Sequence, residues 1–287
     1  MLGDFVDWDG WQYRDPWAAG LWHNPDIKGI KPWNGLKTGH LYIIGEQGVG
    51  DEVLFAQCIP ACLRLADKVT FEGDPRLQKA FERMGCEFIS SHFVWEGDVK
   101  KRKMLPINTD SWMPVGDLPR VFCRLKDVKP PFAVGYLTAD PEMVKKYEGH
   151  KGRTGLSWRG SQGFYRAKDF KALAENPISL QYDQSPLELV DKPDFNLKED
   201  FEDLLGLLAN LDKIITVSTS VAHLASAMGC NVHLILAPMN GRNRNMLPWK
   251  WGFGPRSAWY PNTRVFQSLG EYLGSVRKLN RPSQVCG

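Results

Sequence analysis

The segment that most constrains this chain lies at residues 40–65. His40 to Gly45 (HLYIIG) is an apolar run of strand length, and it passes through the glycine-rich turn Gly45-Glu46-Gln47-Gly48-Val49-Gly50-Asp51 into Glu52 to Leu65. Val53, Leu54, Ile59 and Leu63 recur there at helical spacing. Strand, tight turn and helix are the opening of a βαβ unit, and the unit continues. Lys68 to Glu72 reads as a second strand, Pro75 to Met84 as a helix and Cys86 to Ile89 as a short third strand. A proline-rich, loop-like stretch runs from Pro106 to Pro141, and then the same grammar returns. Thr154 to Ser157 is a strand, Phe201 to Leu211 a helix and Lys213 to Val217 a strand, followed by a helix from about Ser220 to Met228 and a strand from Val232 to Ala237. Alternation of this kind predicts parallel sheets with right-handed crossovers. Two such runs predict an α/β chain of two Rossmann-like lobes, with a hinge near residues 130–150. Ligands then belong at the carboxyl ends of the strands, in the cleft.

Composition narrows the function classes. At 287 residues and 43% hydrophobic, the chain can bury two ordinary cores, which excludes a disordered or disulfide-stapled protein. A net charge of +3 gives no whole-molecule field for nucleic acid or an anionic membrane, so any anion site must be local. Cys58, Cys62, Cys86, Cys123, Cys230 and Cys286 form no C-x-x-C pair and sit in apolar stretches, which predicts reduced thiols and a cytoplasmic protein. Residues 1–10 carry no basic signal region, and no apolar run approaches the ~18 residues of a membrane span. Five of the eleven tryptophans (Trp8, Trp11, Trp17, Trp22, Trp33) precede residue 34, and they predict a lead-in that packs on the first lobe.

The two strand-to-helix turns carry different chemistry. The first offers Glu46, Gln47, Gly48 and Gly50 as cleft residues and ends in Asp51, read as the helix N-cap. From Gly48 it matches G-x-G-x-x-G only in part, because Val53 holds the third glycine position, and it lacks the Gly-Lys-Ser/Thr of a phosphate-binding P-loop. An acid at this end of the helix already answers its dipole, so a diphosphate would meet like charge there. Asp51 either caps the helix or accepts a proton from a hydroxyl in the cleft. The second turn, Ser218-Thr219-Ser220, carries hydroxyls and no acid, which suits an anion. Its structural alternative is an ordinary Ser/Thr cap, and His223, one turn in, is either a packing residue or a neutral ligand contact.

At this point the residues carry a resemblance. Gly45-Glu46-Gln47-Gly48-Val49-Gly50-Asp51-Glu52 with Phe55-Ala56, then Gly155-Leu156-Ser157-Trp158-Arg159-Gly160, then Ser218 through Ala225, and finally Ser257-Ala258-Trp259-Tyr260-Pro261 look like successive blocks of one family. The chain resembles the heptosyltransferase-like glycosyltransferases of glycosyltransferase family 9, in particular the catalytic region that often follows tetratricopeptide repeats in bacterial proteins. Trp8-Asp9-Gly10 resembles the lead-in to that region, and the blocks keep family order over about residues 8 to 267. The resemblance implies a GT-B fold, with an acceptor lobe at residues 1–138 and a nucleotide-sugar lobe at 139–287 whose last helix returns to the first lobe. It implies inverting, metal-independent transfer with no cofactor. Asp51 matches the catalytic carboxylate, and Thr219 and Ser220 match the diphosphate turn. Arg159 and Arg166, with Lys168 beside them, match basic positions near the departing diphosphate. Ser218 stands where the family usually has an aspartate that helps to hold the donor. The repeats are not among these residues, which implies a compact lobe pair.

Two other readings stay open. One is a nucleotide- or glycan-binding protein that keeps the fold without catalysis, motivated by Ser218. The other is an NAD-dependent oxidoreductase, motivated by Gly48, Gly50 and Glu72 at the position of a ribose-binding acid. Asp7-Trp8-Asp9 has the D-x-D form of a metal site but precedes the first strand, so no metal site is assigned. Lys100-Lys101-Arg102-Lys103 is either a solvated loop or a contact for an anionic acceptor. Arg242, Arg244, Trp249 and Trp251 follow a strand end near the expected donor cleft.

Overall fold

In the computed structural model, two five-stranded sheets are each parallel throughout, as the alternation of strands and helices predicts. The structure describes residues 27, 29–46, 48–96, 99–103, 108–124, 134–160, 163–182, 190–237, 251–252 and 254–279. In the first lobe the strands are β1 (Lys31–Pro32), β2 (Thr38–Ile44), β3 (Ala66–Gly73), β4 (Glu87–Ser90) and β7 (Ser111–Pro114), in the order β1-β7-β2-β3-β4. A hairpin of β5 (His92–Glu96) and β6 (Val99–Lys103) stands apart from that sheet. The helices are α1 (Val49–Ala56), α2 (Ile59–Leu65), α3 (Gln78–Glu82) and α4 (Leu118–Arg124). After α5 (Pro141–Lys146), the second lobe has β8 (Thr154–Ser157), the short hairpin β9 (Arg159–Gly160) and β10 (Gly163–Phe164), α6 (Ala167–Lys171) and β11 (Pro177–Ser179). Then come α7 (Phe201–Leu208), β12 (Lys213–Thr216), α8 (Ser220–Ala227), β13 (Val232–Ile235), β14 (Thr263–Phe266) and α9 (Leu269–Leu279). The second sheet has the order β11-β8-β12-β13-β14.

Several boundaries differ from the sequence reading, each for a local reason. The helix expected from Glu52 to Leu65 is two helices, because Pro60 lies in the first turn of α2 and has no N–H to continue α1. Gln57 covers part of the break, its Nε2 donating to the Leu54 carbonyl at 2.6 Å. The helix expected from Pro75 opens as a 3-10 turn at Pro75–Leu77, capped by the Asp74 side chain. The proline-rich stretch contains β7, four buried residues that pair with β2 and end in Pro114.

Strand alternation sorts the apolar residues by face. Leu41 and Ile43 enter a core that continues into the second lobe, whereas Tyr42 and Ile44 pack with Ile27 and Trp112 on the other face. The continuous core joins the lobes directly: Phe55 meets Trp259 edge-on with ring centroids 5.8 Å apart. Polar ties add to it. Arg83 pairs both guanidinium nitrogens with Glu202 at 2.6 and 2.9 Å, and Arg76 donates to the Lys198 carbonyl at 2.8 Å. The segment expected to be the hinge is anchored to both lobes at Tyr136 and Leu137. Leu137 N donates to Ala227 O at 3.2 Å, and the Tyr136 hydroxyl donates to Val53 O at 2.6 Å.

Trp33 is buried against Phe122 and donates to Leu36 O at 2.8 Å, so the one described tryptophan of the lead-in does pack on the first lobe. Trp8, Trp11, Trp17 and Trp22 lie outside the described residues. Helix α9 packs Tyr272 into the second lobe's own core, and any return to the first lobe falls beyond residue 279, outside the described residues. The described cysteines are free thiols, and burial pushes those of Cys86 and Cys230 up to about 12. Among the described residues, no helix is long and apolar enough to cross a membrane.

Two stability predictions arise here. A Cβ at Gly206 in α7 would lie 2.6 Å from the Met143 carbonyl oxygen of α5, so Gly206→Ala must separate the two helices. Overpacking of this kind costs about 1–3 kcal/mol, to be read from chemical denaturation. His233, on β13 between Phe266 and Tyr272, is held neutral, its pKa pushed down to about 4 by burial and by the charges of Lys213 and Arg264. The unfolded chain binds that proton near pH 6.5, so stability is lost as pH falls from about 6.5 to about 4. His233→Phe should flatten the fall of melting temperature across that window.

Candidate active site

The carboxyl ends of β2 and β12 each feed a helix, and the first turns of those helices, α1 and α8, meet. The closeness depends on Gly50. A Cβ there would sit 2.9 Å from His223 Cδ2, so only a glycine lets the α1 turn approach the α8 histidine this closely. Asp51 is the next residue. It is the third residue of α1 rather than its N-cap, which is Gly48, extended at φ −155° and supplying no side-chain cap. The sequence reading of Asp51 as the cap is thus corrected: a glycine takes the cap position, and Asp51, buried at 8% exposure, lies three positions beyond it, inside the first turn. It remains near the positive end of the helix dipole.

His223 is the hub behind the junction. Its ring lies on Trp251, with centroids 4.5 Å apart at 31°, and its Nδ1 is 3.0 Å from the Tyr260 hydroxyl. Tyr260 in turn interacts electrostatically with Tyr136, whose hydroxyl donates to Val53 O in α1. Burial drives the Tyr260 hydroxyl well above the ordinary tyrosine range, with Tyr136 and the charge of Asp51 pushing the same way. Asp51 of the first lobe and Tyr260 of the second therefore feel one another electrostatically. Helix α1 is tied to α8 through two aromatic hydroxyls and an imidazole.

The anion turn is built as the sequence implies, with its roles divided. Thr219 is the N-cap of α8, its hydroxyl accepting from Ala222 N at 3.3 Å and lying 3.3 Å from Thr216 Oγ1. Its side chain thus performs the ordinary capping role. The N–H groups of Ser220 and Val221 precede any intrahelical acceptor, so with the Ser220 hydroxyl they form the surface that an anion would meet. Ser218 Oγ accepts from Trp251 Nε1 at 2.9 Å, tying the hydroxyl to the aromatic residue under His223. Gly160 braces the turn from the other side: a Cβ there would lie 2.5 Å from Ser218 O and 3.2 Å from Thr219 Cγ2.

Of the basic residues, Arg159 adjoins Gly160, which touches this turn, whereas Arg166 and Lys168 stand on or at the start of α6. Arg159 is exposed on β9, its guanidinium 5.8 Å from the Phe164 ring centre. Its backbone is clamped by Gln181, whose Oε1 accepts from Trp158 N at 3.2 Å and Arg159 N at 3.0 Å, while Nε2 donates to Arg159 O at 3.1 Å. Arg166, the N-cap residue of α6, is exposed and forked onto Asp169 at 2.8 and 3.2 Å. A surface pair of this sort is worth only about 0–1 kcal/mol, so an arriving phosphate can compete for it. Lys168 is exposed on the same helix.

In the first lobe, Glu46 is buried and accepts from Gly116 N at 2.8 Å, which fixes the turn to the segment after β7. Gly48 is exposed, with open space where a Cβ would go. Glu72, the acid behind the dinucleotide reading, is buried and accepts from the Tyr42 hydroxyl at 2.9 Å, so its carboxylate serves the sheet face bearing Tyr42. Gln47, Asp7, Asp9, Arg242, Arg244 and Trp249 lie outside the described residues. Tyr136 and Gln181 carried no local signal, and Tyr260 stood in a matched block with no role assigned.

Two parallel sheets whose leading helices meet at their first turns define the GT-B class. Within it, the fold is similar to that of the glycosyl transferase family 9 structure from Veillonella parvula DSM 2008, with a TM-score of 0.57 and 12% identity over 88% of this chain and 93% of that one. The ADP-heptose lipopolysaccharide heptosyltransferase II of E. coli aligns with a TM-score of 0.48 and 9% identity over 84% of this chain and 98% of that one. In sequence, the chain is similar to protein FlbA of Caulobacter vibrioides, 25% identical over 305 aligned residues that cover 90% of this chain and 49% of FlbA. The chain thus spans about half the length of that relative. No family model matches it.

Proposed function

We propose that this chain is a glycosyltransferase that moves a sugar from a nucleotide-diphosphate donor to an acceptor hydroxyl, with inversion and without a metal. The observation that carries the reading is the meeting of two unlike helix starts. One presents the carboxylate of Asp51, and the other presents hydroxyls and N–H groups with no acid.

Asp51 takes the proton of the acceptor hydroxyl as its oxygen attacks the anomeric carbon. The bond from that carbon to the diphosphate breaks on the opposite side, and its electron pair leaves with the diphosphate. The start of α8 meets the negative charge as it develops, with Ser220 and the guanidinium groups of Arg159 and Arg166 adding donors. A base on one lobe and a leaving-group site on the other favour a single displacement, hence inversion. The partners that follow are a nucleotide sugar and a glycan or other hydroxyl-bearing acceptor.

Turnover in the presence of EDTA tests this. Release of nucleoside diphosphate, with proton NMR showing the first sugar product in the opposite anomeric configuration, is the expected result. Retained configuration, or turnover abolished by EDTA and restored by a divalent ion, contradicts it. The tie of Ser218 to Trp251 keeps a second reading in view, a donor-binding protein without catalysis. That reading predicts stabilisation by a nucleoside diphosphate with no release from any donor.

A further inference from the structure

Gln181 is buried, 2% exposed, just past the end of the edge strand β11. The ladder between β11 and β8 runs to the pair Ser179 and Leu156, and it closes with Leu180 N donating to Leu156 O at 2.8 Å. There the β11 main chain turns away, Gln181 N donating to the Ser179 hydroxyl at 3.2 Å. The Gln181 side chain continues where the strand stops. Its Oε1 accepts from Trp158 N at 3.2 Å and Arg159 N at 3.0 Å, with the Ser157 hydroxyl at 3.4 Å, and its Nε2 donates to Arg159 O at 3.1 Å. A carboxamide has the acceptor and the donor of a peptide group, so it extends the ladder by one step. Glutamate would accept without donating, leucine would do neither, and asparagine has the groups without the reach.

Both main-chain groups of Arg159 are engaged by this neutral amide, so what Arg159 can offer an anion is its guanidinium. The start of α8 is the opposite case, because there the N–H groups are the donors. On the far flank of Arg159, a Cβ at Gly160 would lie 2.5 Å from Ser218 O, so the backbone of residues 159–160 runs from the Gln181 clamp to the anion turn. The guanidinium lies 5.8 Å from the ring centre of Phe164, the cross-strand partner of Arg159. An exposed arginine gives up side-chain freedom when it binds a phosphate. One whose backbone is fixed in advance gives up less.

We propose that Gln181 is a positioning residue for sugar transfer: its carboxamide holds the Arg159 backbone so that the guanidinium meets the diphosphate beside the α8 turn. This role rests on the glycosyltransferase reading and adds to it a buried residue that acts without touching the donor. The effect of Gln181 on the donor therefore passes through Arg159. A residue that only supported the sheet would change donor binding equally with or without that guanidinium.

The test is calorimetric binding of ADP, GDP, UDP and dTDP to the whole chain, each against its monophosphate. The quantity followed is the diphosphate-over-monophosphate preference for the nucleotide that wild type binds most tightly. Arg159→Ala and Gln181→Leu should each lower that preference about tenfold, the loss of a hydrogen bond to a charged group. The double variant Arg159→Ala/Gln181→Leu should fall no further than Arg159→Ala alone. Gln181→Asn, which keeps the amide and shortens its reach, should match Gln181→Leu, and it stands in if the leucine variant does not fold. Monophosphate affinity should change little in either, whereas general damage to the lobe would lower both affinities together. A preference kept in both Gln181 variants, or an equal further loss in the double variant, would overturn the assignment while leaving the donor reading intact. Wild type with no diphosphate preference would contradict the donor reading itself, and the assignment with it.

Discussion

Asp51→Asn should lower kcat by about 10²–10⁴-fold, the contribution expected of a positioned general base. The amide has the shape of the carboxylate but cannot take the acceptor proton, so the loss should appear in kcat with little change in donor KM. Folding should survive. Asp51 sits in the first turn of α1, where its charge contributes no more than about 1 kcal/mol through the helix dipole, and Gly48 rather than Asp51 is the cap. A melting temperature within a few degrees of wild type, together with unchanged nucleoside diphosphate binding, would separate lost chemistry from lost structure. Equal turnover by the two proteins would remove Asp51 from the mechanism.

Gly160→Ala should have the second largest effect, through geometry alone. Its added carbon would lie 2.5 Å from a backbone oxygen, Ser218 O, and a backbone atom cannot swing aside as a long side chain can. The β9 end or the Ser218–Ser220 turn must move by several tenths of an ångström, and misplacement by about 1 Å can cost 10²-fold in rate. Affinity for a nucleoside diphosphate should fall at least tenfold, with a stability loss of about 1–3 kcal/mol. Wild-type affinity in this variant would mean that the turn is not where the diphosphate docks.

How far the sequence disclosed this fold depends on how local each signal is. Strands β2 and β12 are runs of buried residues whose length and flanks mark them without any partner. Strand β7 was hidden because four residues ending in proline show no alternation, and its pairing with Leu41 to Ile44 is a long-range fact. The break between α1 and α2 was written in Pro60, but the apolar spacing across it masked the signal.

The candidate site divides along the same line. Asp51 and the Ser218–Ser220 turn were legible because their chemistry belongs to strand-to-helix turns, which have local signatures. The support around them was not. Tyr136, Gln181 and Tyr260 act on α1, on the loop after β8 and on His223 through contacts 22 to 83 residues away in the chain. The same contacts show why Gly50 matters: its missing side chain makes room for His223, a fact about packing that a glycine count cannot supply.

The central claim, that α8 opens onto a diphosphate site opposite Asp51, is tested most directly by a thermal-shift titration with nucleoside diphosphates, the matching nucleotide sugars and nicotinamide dinucleotides. The account predicts that one nucleoside diphosphate and its sugar raise the melting temperature together, that the monophosphate does so far less, and that Gly160→Ala abolishes the shift. Stabilisation by a nicotinamide dinucleotide alone, or a diphosphate shift that survives Gly160→Ala intact, would contradict it.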